Sequence, residues 1–476
     1  MSPDTRTNPG CNSSSLKKHA MRLDFSTLPL KNRAFSERPM TFIDQAPRNF
    51  LSAIIDLIAI ETGNRAAREY WQSKQLQNLL QHAVQRSAFW RKRIGTKRIK
   101  DVKLSDIPVL TRDDVVNQVE TEGSLLPPSA TLQATKHSTS GSSGTPVQFF
   151  VSDDNALFNQ ARSMAQYFME GRDLTLNRTR FKSAKHRMYG GFSVENTDSW
   201  LGPLSALFRA GNNKDILHLQ PDRNLLFREL MKAPIGYLVA QPRLIESLFY
   251  DNDVSFLSEN GTEMFLPIAE EAEKGLRAKF AAARIPIRSS YSSEEVGCIG
   301  AECKDCPETF HVAQSNVIVE VESRDSVMVA GTMLGRVLVT HLHSYATPFI
   351  RYDIGDLAAL SEGCGCGHEG PVLSSILGRK KRLLKRADGS VVPFLMKAEN
   401  ILKIVKCDEY RIRQTDLNII EVEIGGINQL TADQLASLKS TFKEHAGDEF
   451  QIRINAVQNI NWGSDIKRLG FRSELL

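Results

Sequence analysis

The chain has 476 residues, 41% of them hydrophobic and 24% charged, enough for two or three domains with a sizeable core. Sixty basic residues against fifty-five acidic ones leave a formal charge of +5, too mild over this length to point to nucleic acid as the main partner. The longest apolar run, Phe50 to Ile60, is interrupted by Asp56 and falls well short of the roughly 20 residues a bilayer span needs, so no membrane span is expected.

Residues 1–45 are rich in Ser, Asn, Pro and Arg and lack the apolar centre of a secretory signal, which reads as a disordered leader on a cytoplasmic protein. From Asn64 to Arg93 apolar residues recur at helical spacing, predicting one amphipathic helix. Thr111 and Asp114 have the spacing of a capping box with Asp in place of Glu, which starts the next helix. Val147 to Val151 reads as a strand and Asp154 to Glu170 as a helix. Ile235 to Val239 is a short buried strand, and Glu270 to Ala283 a helix. This alternation predicts an α/β fold.

Short β-rich runs from Val317 to Ile350 predict a β subdomain bearing cysteines, a cysteine insertion over about 298–370. A boundary near residue 380 closes the large domain, 46–380. The rest, 381–476, predicts a small α+β domain with a hairpin near Asp416, a helix over Ala432–His445 and a strand over Phe450–Val457.

Two constellations carry chemistry. The first begins with Thr139, Ser140, Gly141, Ser142, Ser143, Gly144, Thr145 and Pro146, whose hydroxyls, glycines and exposed amides can wrap phosphate oxygens. No Gly-Lys-Ser/Thr follows, so it is not a P-loop of the kinase or GTPase kind. A flexible serine-rich linker is the plain alternative, opposed by the strand and helix that follow at once.

The segment resembles the phosphate loop of adenylate-forming enzymes, and three further segments match that superfamily in order. Tyr291 to Gly297 is similar to its Tyr-Gly-x-Ser/Thr-Glu motif. Pro348 to Asp356 is similar to its Pro-x-Ile-Arg-Tyr-x-x-Gly-Asp motif, and Gly378-Arg379 to the start of its hinge. The chain from about Leu76 onward thus resembles the phenylacetate–CoA ligase-like, CapK-like branch. That resemblance implies a large N-terminal adenylate-forming domain and a small mobile C-terminal one.

It also implies ATP- and magnesium-dependent activation of a carboxylic acid as its acyl-adenylate, followed by transfer to CoA, to an acyl-carrier thiol or to another acceptor. By position, Tyr291 would stack on adenine, Glu295 would help hold Mg2+, and Asp356 would bind the ribose hydroxyls. Arg351 and Arg379 would supply planar, permanently charged donors. Tyr189, Gly190, Tyr237 and Ala240 fall where the acid pocket is expected, and homodimer formation is left open.

Three departures stand out. Ser292 and Glu294 replace the usual Gly and Ser/Thr, setting two carboxylates side by side, which repel unless compensated. Arg382 stands where the hinge usually has Asp. Near the end, either Lys467 delivers the family's catalytic lysine or Asp465 occupies its place. A nucleotide-binding scaffold without full turnover is therefore the second class of reading.

The second constellation is Cys303-x-x-Cys306 and Cys364-x-Cys366 with His311 and His368 nearby, a set able to close a tetrahedral structural Zn2+ site. Free core thiols are the alternative. Resemblance to the family allows His311 to replace Cys303 or Cys306 as a ligand. Cys11, Cys298 and Cys407 read as ordinary thiols, and His368 as a surface residue.

Overall fold

The structure is a computed structural model that describes residues 44–95, 98–118, 133–139, 146–183, 192–218, 223–249, 253–329, 331–379, 383–394, 396, 398–462 and 471–475. The apolar run around Phe50 forms helix α1 (Gln45–Glu61), which turns Phe50, Ile54, Leu57 and Ile58 inward. Among the described residues no helix is long and apolar enough to cross a membrane.

The single helix expected from Asn64 to Arg93 is two, α2 (Arg65–Arg86) and α3 (Ala88–Ile94). Ser87 breaks them: its backbone is extended, and its Oγ accepts the Trp90 amide 3.3 Å away to cap α3. The capping box at Thr111 is present. The Asp114 amide donates to Thr111 Oγ1 at 3.1 Å and the Thr111 amide to Asp114 Oδ2 at 2.8 Å, opening α4 (Arg112–Gln118).

Strands β1 (Ala134–Ser138) and β2 (Gln148–Ser152) pair antiparallel, and α5 (Asp153–Met169) follows β2 at once, its first turn capped by Ser152. A five-stranded sheet comes next. It has β4 (Phe192–Thr197), β5 (Asn213–His218), β3 (Arg178–Ser183), β6 (Gly236–Ala240) and β7 (Thr262–Pro267) in that order, β4 antiparallel and the rest parallel.

One face of this sheet, through Tyr237, Val239 and Leu266, packs on α1 and α5. The other, through Phe181, Ile216 and Leu238, is covered by α6 (Arg223–Leu230), α7 (Pro242–Leu248), α8 (Ser255–Glu259) and α9 (Lys274–Ala282). Strands buried on both faces need apolar side chains throughout, and β6 is buried at every position. Helix α9 starts four residues later than expected, because the chain from Ile268 to Glu273 first makes a loop in which Ala269 has φ 66°.

A seven-stranded antiparallel sheet fills the next layer. It contains β8 (Ser290–Ser293), β9 (Gly297–Glu302), β10 (Thr309–Val312), β11 (Val317–Val329), β12 (Thr332–His341), β13 (Tyr352–Glu362) and β14 (Pro371–Arg379), ordered β11-β12-β13-β14-β10-β9-β8. Its inner face meets α2, α3, α4 and β2 in the largest apolar cluster, around Trp90, Phe149, Phe349 and Tyr352. The cysteine-bearing stretch belongs to this sheet, continuous with β8 and β9.

The hairpin β15 (Leu383–Lys385) and β16 (Val391–Pro393) packs Leu383 and Val391 on Leu334 and Leu357 of the seven-stranded sheet. Beyond it a separate core forms between helices α10 (Ala398–Leu402) and α11 (Ala432–Ala446) and a four-stranded sheet. That sheet holds β17 (Glu409–Asp416), β18 (Ile419–Gly425), β19 (Gln451–Val457) and β20 (Phe471–Ser473) in the order β19-β18-β17-β20. Fold class and element pattern agree with the α/β plus α+β expectation.

Candidate active site

The turn between β8 and β9 spans the sequence Ser293-Glu294-Glu295-Val296-Gly297. Gly297 takes φ 67°, and a Cβ there would lie 2.5 Å from Oδ1 of Asn159 on α5, so both handedness and space call for glycine. The turn directs its two acids apart: Glu294 is exposed while Glu295 is only 8% exposed. That divergence answers the repulsion expected of adjacent carboxylates. The phenol of Tyr352, at the start of β13, donates to Glu295 Oε1 at 3.3 Å and fixes the buried carboxylate.

Side chains from two strands that are not neighbours in the sheet, β8 and β13, meet at the second half of the site. Tyr291 on β8 donates its phenol hydrogen to Asp356 Oδ2 at 2.8 Å, across 65 positions of sequence. Its ring is half-buried against the core. Gly355, at φ 82°, lets the chain turn just before Asp356. Asp356 pairs with Arg379 in the β13–β14 ladder, so the Gly378-Arg379 segment lies beside the end of the Pro348 to Asp356 segment. Of Arg379 only this backbone pairing is described.

The phosphate-loop expectation rests mostly on residues outside those described: Ser140, Gly141, Ser142, Ser143 and Gly144. Its ends are in view. Thr139 is buried, its amide donates to the Val147 carbonyl at 2.9 Å, and the Val147 amide donates to Thr139 Oγ1 at 3.0 Å. These bonds close the neck of the β1–β2 connection. Phe150 of β2 donates its amide to Thr347 Oγ1 at 2.9 Å, which ties that connection to the segment leading into Tyr352. Lys467 and Asp465, and likewise Tyr189, Gly190 and Arg382, also lie outside the described residues.

Arg351 is engaged by partners within the protein. Its guanidinium donates to Glu320 Oε2 at 2.9 Å and to the carbonyls of Ile107 and Ser105 at 2.6 and 3.3 Å. Buried and at φ 51°, it ties the approach to α4 onto the seven-stranded sheet. Tyr237 and Ala240 are likewise core residues: Tyr237 is 2% exposed with its phenol on the Asp173 carbonyl at 3.1 Å, and Ala240 is fully buried.

Cys303, His311, Cys364 and Cys366 converge, with their ligand atoms all within 4.8 Å of one another. Cys303 Sγ lies 3.8 Å from Cys364 Sγ, and Cys366 Sγ 3.4 Å from His311 Nε2. A tetrahedron with Zn–S bonds of ~2.3 Å has edges of about 3.8 Å, so the donor set and the Cys303–Cys364 edge are compatible with a tetrahedral metal ion. Burial, and then the neighbouring His368, lower His311 to about 4, leaving the neutral imidazole a metal requires.

Burial first pushes the Cys303, Cys364 and Cys366 thiols up, and the backbone amides of Asp305 and Cys306 at Cys303, of Cys366 at Cys364 and of His368 at Cys366 pull the other way. Cys306 itself falls outside the convergent set: His311, on the paired strand β10, fills that place. His368 is not the surface residue expected. Its ring stacks on His311 with centroids 4.2 Å apart. Tyr352 and Asn159 are supporting residues the sequence reading did not assign, and of the two only Tyr352 lies within a motif that could have indicated it.

No protein-family model matches the chain, and no curated protein is similar to it in sequence. Solved structures are. A 2-hydroxyisobutyryl-CoA ligase in its postadenylation state, bound to an acyl-AMP, superposes with TM-score 0.61 at 18% identity, covering 87% of this chain and 91% of that one. The same ligase in its thioesterification state, bound to an acyl-AMP and CoA, gives 0.54 at 18% identity over 88% and 92%. The GH3.15 acyl acid amido synthetase gives 0.51 at 12% identity over 87% and 90%. The chain therefore has the fold of adenylate-forming acid ligases and synthetases.

Proposed function

We propose that this protein is an adenylate-forming ligase that condenses a carboxylic acid with ATP and then passes the acyl group to the thiol of CoA. The observation that carries this reading is the meeting of Tyr291, on edge strand β8, with Asp356 on β13, which pairs with the Arg379 backbone of β14, while Tyr352 holds Glu295 in the turn that follows β8. A chain with this fold but no nucleotide chemistry has no need of a carboxylate and a phenol paired at that place.

Each residue has a task that follows from its chemistry. Tyr291 offers an aromatic face for a purine, and Asp356 offers acceptors for ribose hydroxyls. Glu295 is an oxygen ligand suited to magnesium, which when bound offsets phosphate charge. Thr139 and the amides after it would close around phosphate oxygens, and Arg379 and Lys467 would add fixed positive charge.

In the first step the substrate carboxylate forms a bond to the α-phosphorus and the bond to pyrophosphate breaks. In the second a thiolate forms a bond to the acyl carbon and AMP departs. Neither step needs a protein nucleophile, so catalysis comes from alignment and charge neutralisation. The four-ligand Cys/His set is structural in this reading: all four protein ligands are supplied and no open position remains for substrate.

The solved structures support two acceptors, since one neighbour is a CoA ligase and another an amido synthetase. Pyrophosphate release across a panel of acids, with and without CoA, decides. Release that depends on one acid and rises with CoA is expected. Release indifferent to CoA but raised by an amine moves the protein to the amide-forming class, and no release with any acid contradicts the proposal.

A further inference from the structure

Strand β3 carries Arg178, Arg180 and Lys182 on one face, an unusual run for an interior strand of a parallel sheet. The ladders show which face it is. Arg180 pairs with Val239 of β6, and Val239 with Leu266 of β7. Val239 and Leu266 lie in the core that α5 covers, and α5 also carries the Asn159 that meets Gly297 of the active-site turn. The basic row thus faces the layer that holds the candidate active site.

It also lies at the right end of the sheet. In parallel α/β sheets ligands gather beyond the carboxyl ends of the strands, and Lys182 is the last but one residue of β3. Beyond β7 the Phe265–Ile287 bridge continues the sheet into the segment that becomes β8 and Tyr291. From β3 across β6 and β7 to Ile287 are three interstrand spacings, about 14 Å at ~4.8 Å each.

The charges there do not cancel. Asp215 on β5, its side chain 7% exposed, binds Arg180 through two bonds of 2.9 and 2.8 Å and also pairs with Lys182. Arg180 and Lys182 remain 30% and 37% exposed. Arg178 is occupied by Asn213 at 2.8 Å and by the Trp200 ring. The second acid in this row, Glu195 across from Asp215 on edge strand β4, is exposed. One buried carboxylate therefore orients two half-open cations, which is an arrangement for receiving an anion. Burial alone would raise Asp215, but its bonds to Arg180 and Lys182 prevail and hold it far below the ordinary carboxylate range.

We infer that the acid this protein activates carries a second anionic group at its far end, received by Lys182 and Arg180 while its reacting carboxylate lies toward Tyr291 and Glu295. This rests on the ligase reading for the reacting end, but the anion site is testable without turnover. The substrate class is a medium-length dicarboxylate or an equivalent ω-anionic acid, not a plain fatty acid.

Calorimetric binding to the full chain with azelate, and with nonanoate of the same chain length, tests it. Azelate is expected to bind about tenfold more tightly, the worth of one ~1.4 kcal/mol ion pair. Lys182→Met should reduce azelate to the affinity of nonanoate, and Lys182→Arg should restore the difference, which also excludes misfolding as the cause. Equal or weaker binding of azelate, or a preference that survives Lys182→Met, overturns the inference. Acid-dependent pyrophosphate exchange run alongside separates the two readings: selective azelate binding without exchange contradicts the ligase and leaves the anion site standing.

Discussion

The phenol of Tyr291 and the carboxylate of Asp356 are joined by a 2.8 Å hydrogen bond between strands that are not sequence neighbours. The bond lets each residue orient the other before any nucleotide arrives. Asp356→Asn keeps the shape and removes the charge. It is expected to lower kcat/KM for ATP by about 10- to 100-fold, the worth of a charge-assisted hydrogen bond. Tyr291→Phe, which keeps the ring, should cost less than tenfold, and steady-state kinetics with varied ATP measures both.

Tyr352 reaches Glu295 from the other side at 3.3 Å. Glu295→Gln should remove most acid activation at ordinary magnesium while leaving the melting temperature nearly unchanged. Tyr352→Phe should act through Glu295: a higher magnesium requirement with an unaltered KM for the acid. Titration of activity against magnesium for both variants separates ion binding from a general loss of fold.

Arg351 makes a different prediction from the one its motif implies. Because its guanidinium is bound to Glu320 and to the Ile107 and Ser105 carbonyls, Arg351→Gln leaves buried partners unmatched. A loss of about 3 kcal/mol of stability is expected in chemical denaturation, with ATP affinity of the folded protein unchanged. A selective loss of ATP affinity would return Arg351 to the nucleotide.

Purified protein should contain about one zinc ion per chain by elemental analysis. Cys364→Ser is expected to lose the metal and lower the melting temperature, whereas Cys306→Ser, outside the convergent set, should retain metal. Loss of metal in both variants alike would contradict the ligand assignment.

A pH dependence should arise where α7 meets the C-terminal sheet, around a cavity of about 70 Å³ bordered by Arg243, Glu246 and Tyr410. Arg243 lies over the Tyr410 ring, 4.8 Å from its centre, and pairs with Glu270 at 3.4 Å. Burial first, then Glu273 and Glu270, push Glu246 up to about 8 against the pull of Arg243 and Lys279. A carboxyl raised on folding binds its proton more tightly in the native state. Stability should therefore fall as pH rises from about 4.5 to 8, by at most about 1.4 kcal/mol per unit. Glu246→Gln should flatten that slope in denaturation measured across the window.

Much of this was legible in sequence because it is written in local patterns. The Thr111 capping box, the strand and helix after Pro146, and the C-terminal hairpin and helix all appear within a residue or two of expectation. Ser87 was missed because a helix-compatible apolar spacing runs straight through it, and only its cap geometry shows the break. The site motifs named Tyr291, Glu295 and Asp356, but motifs do not say where side chains point: Glu294 and Glu295 diverge, and Arg351 turns into the core. The metal set shows the same limit. Spacing favoured two cysteine pairs, whereas the pairing of β10 with β9 and β14 brings His311 to the place spacing assigned to Cys306.

The central claim is acid activation at the Tyr291, Glu295 and Asp356 site, and ATP–pyrophosphate exchange tests it most directly. Exchange that requires both magnesium and a carboxylic acid, proceeds without CoA, and is lost in Glu295→Gln is the predicted result. Exchange that is absent with every acid, or that persists in Glu295→Gln, would contradict it.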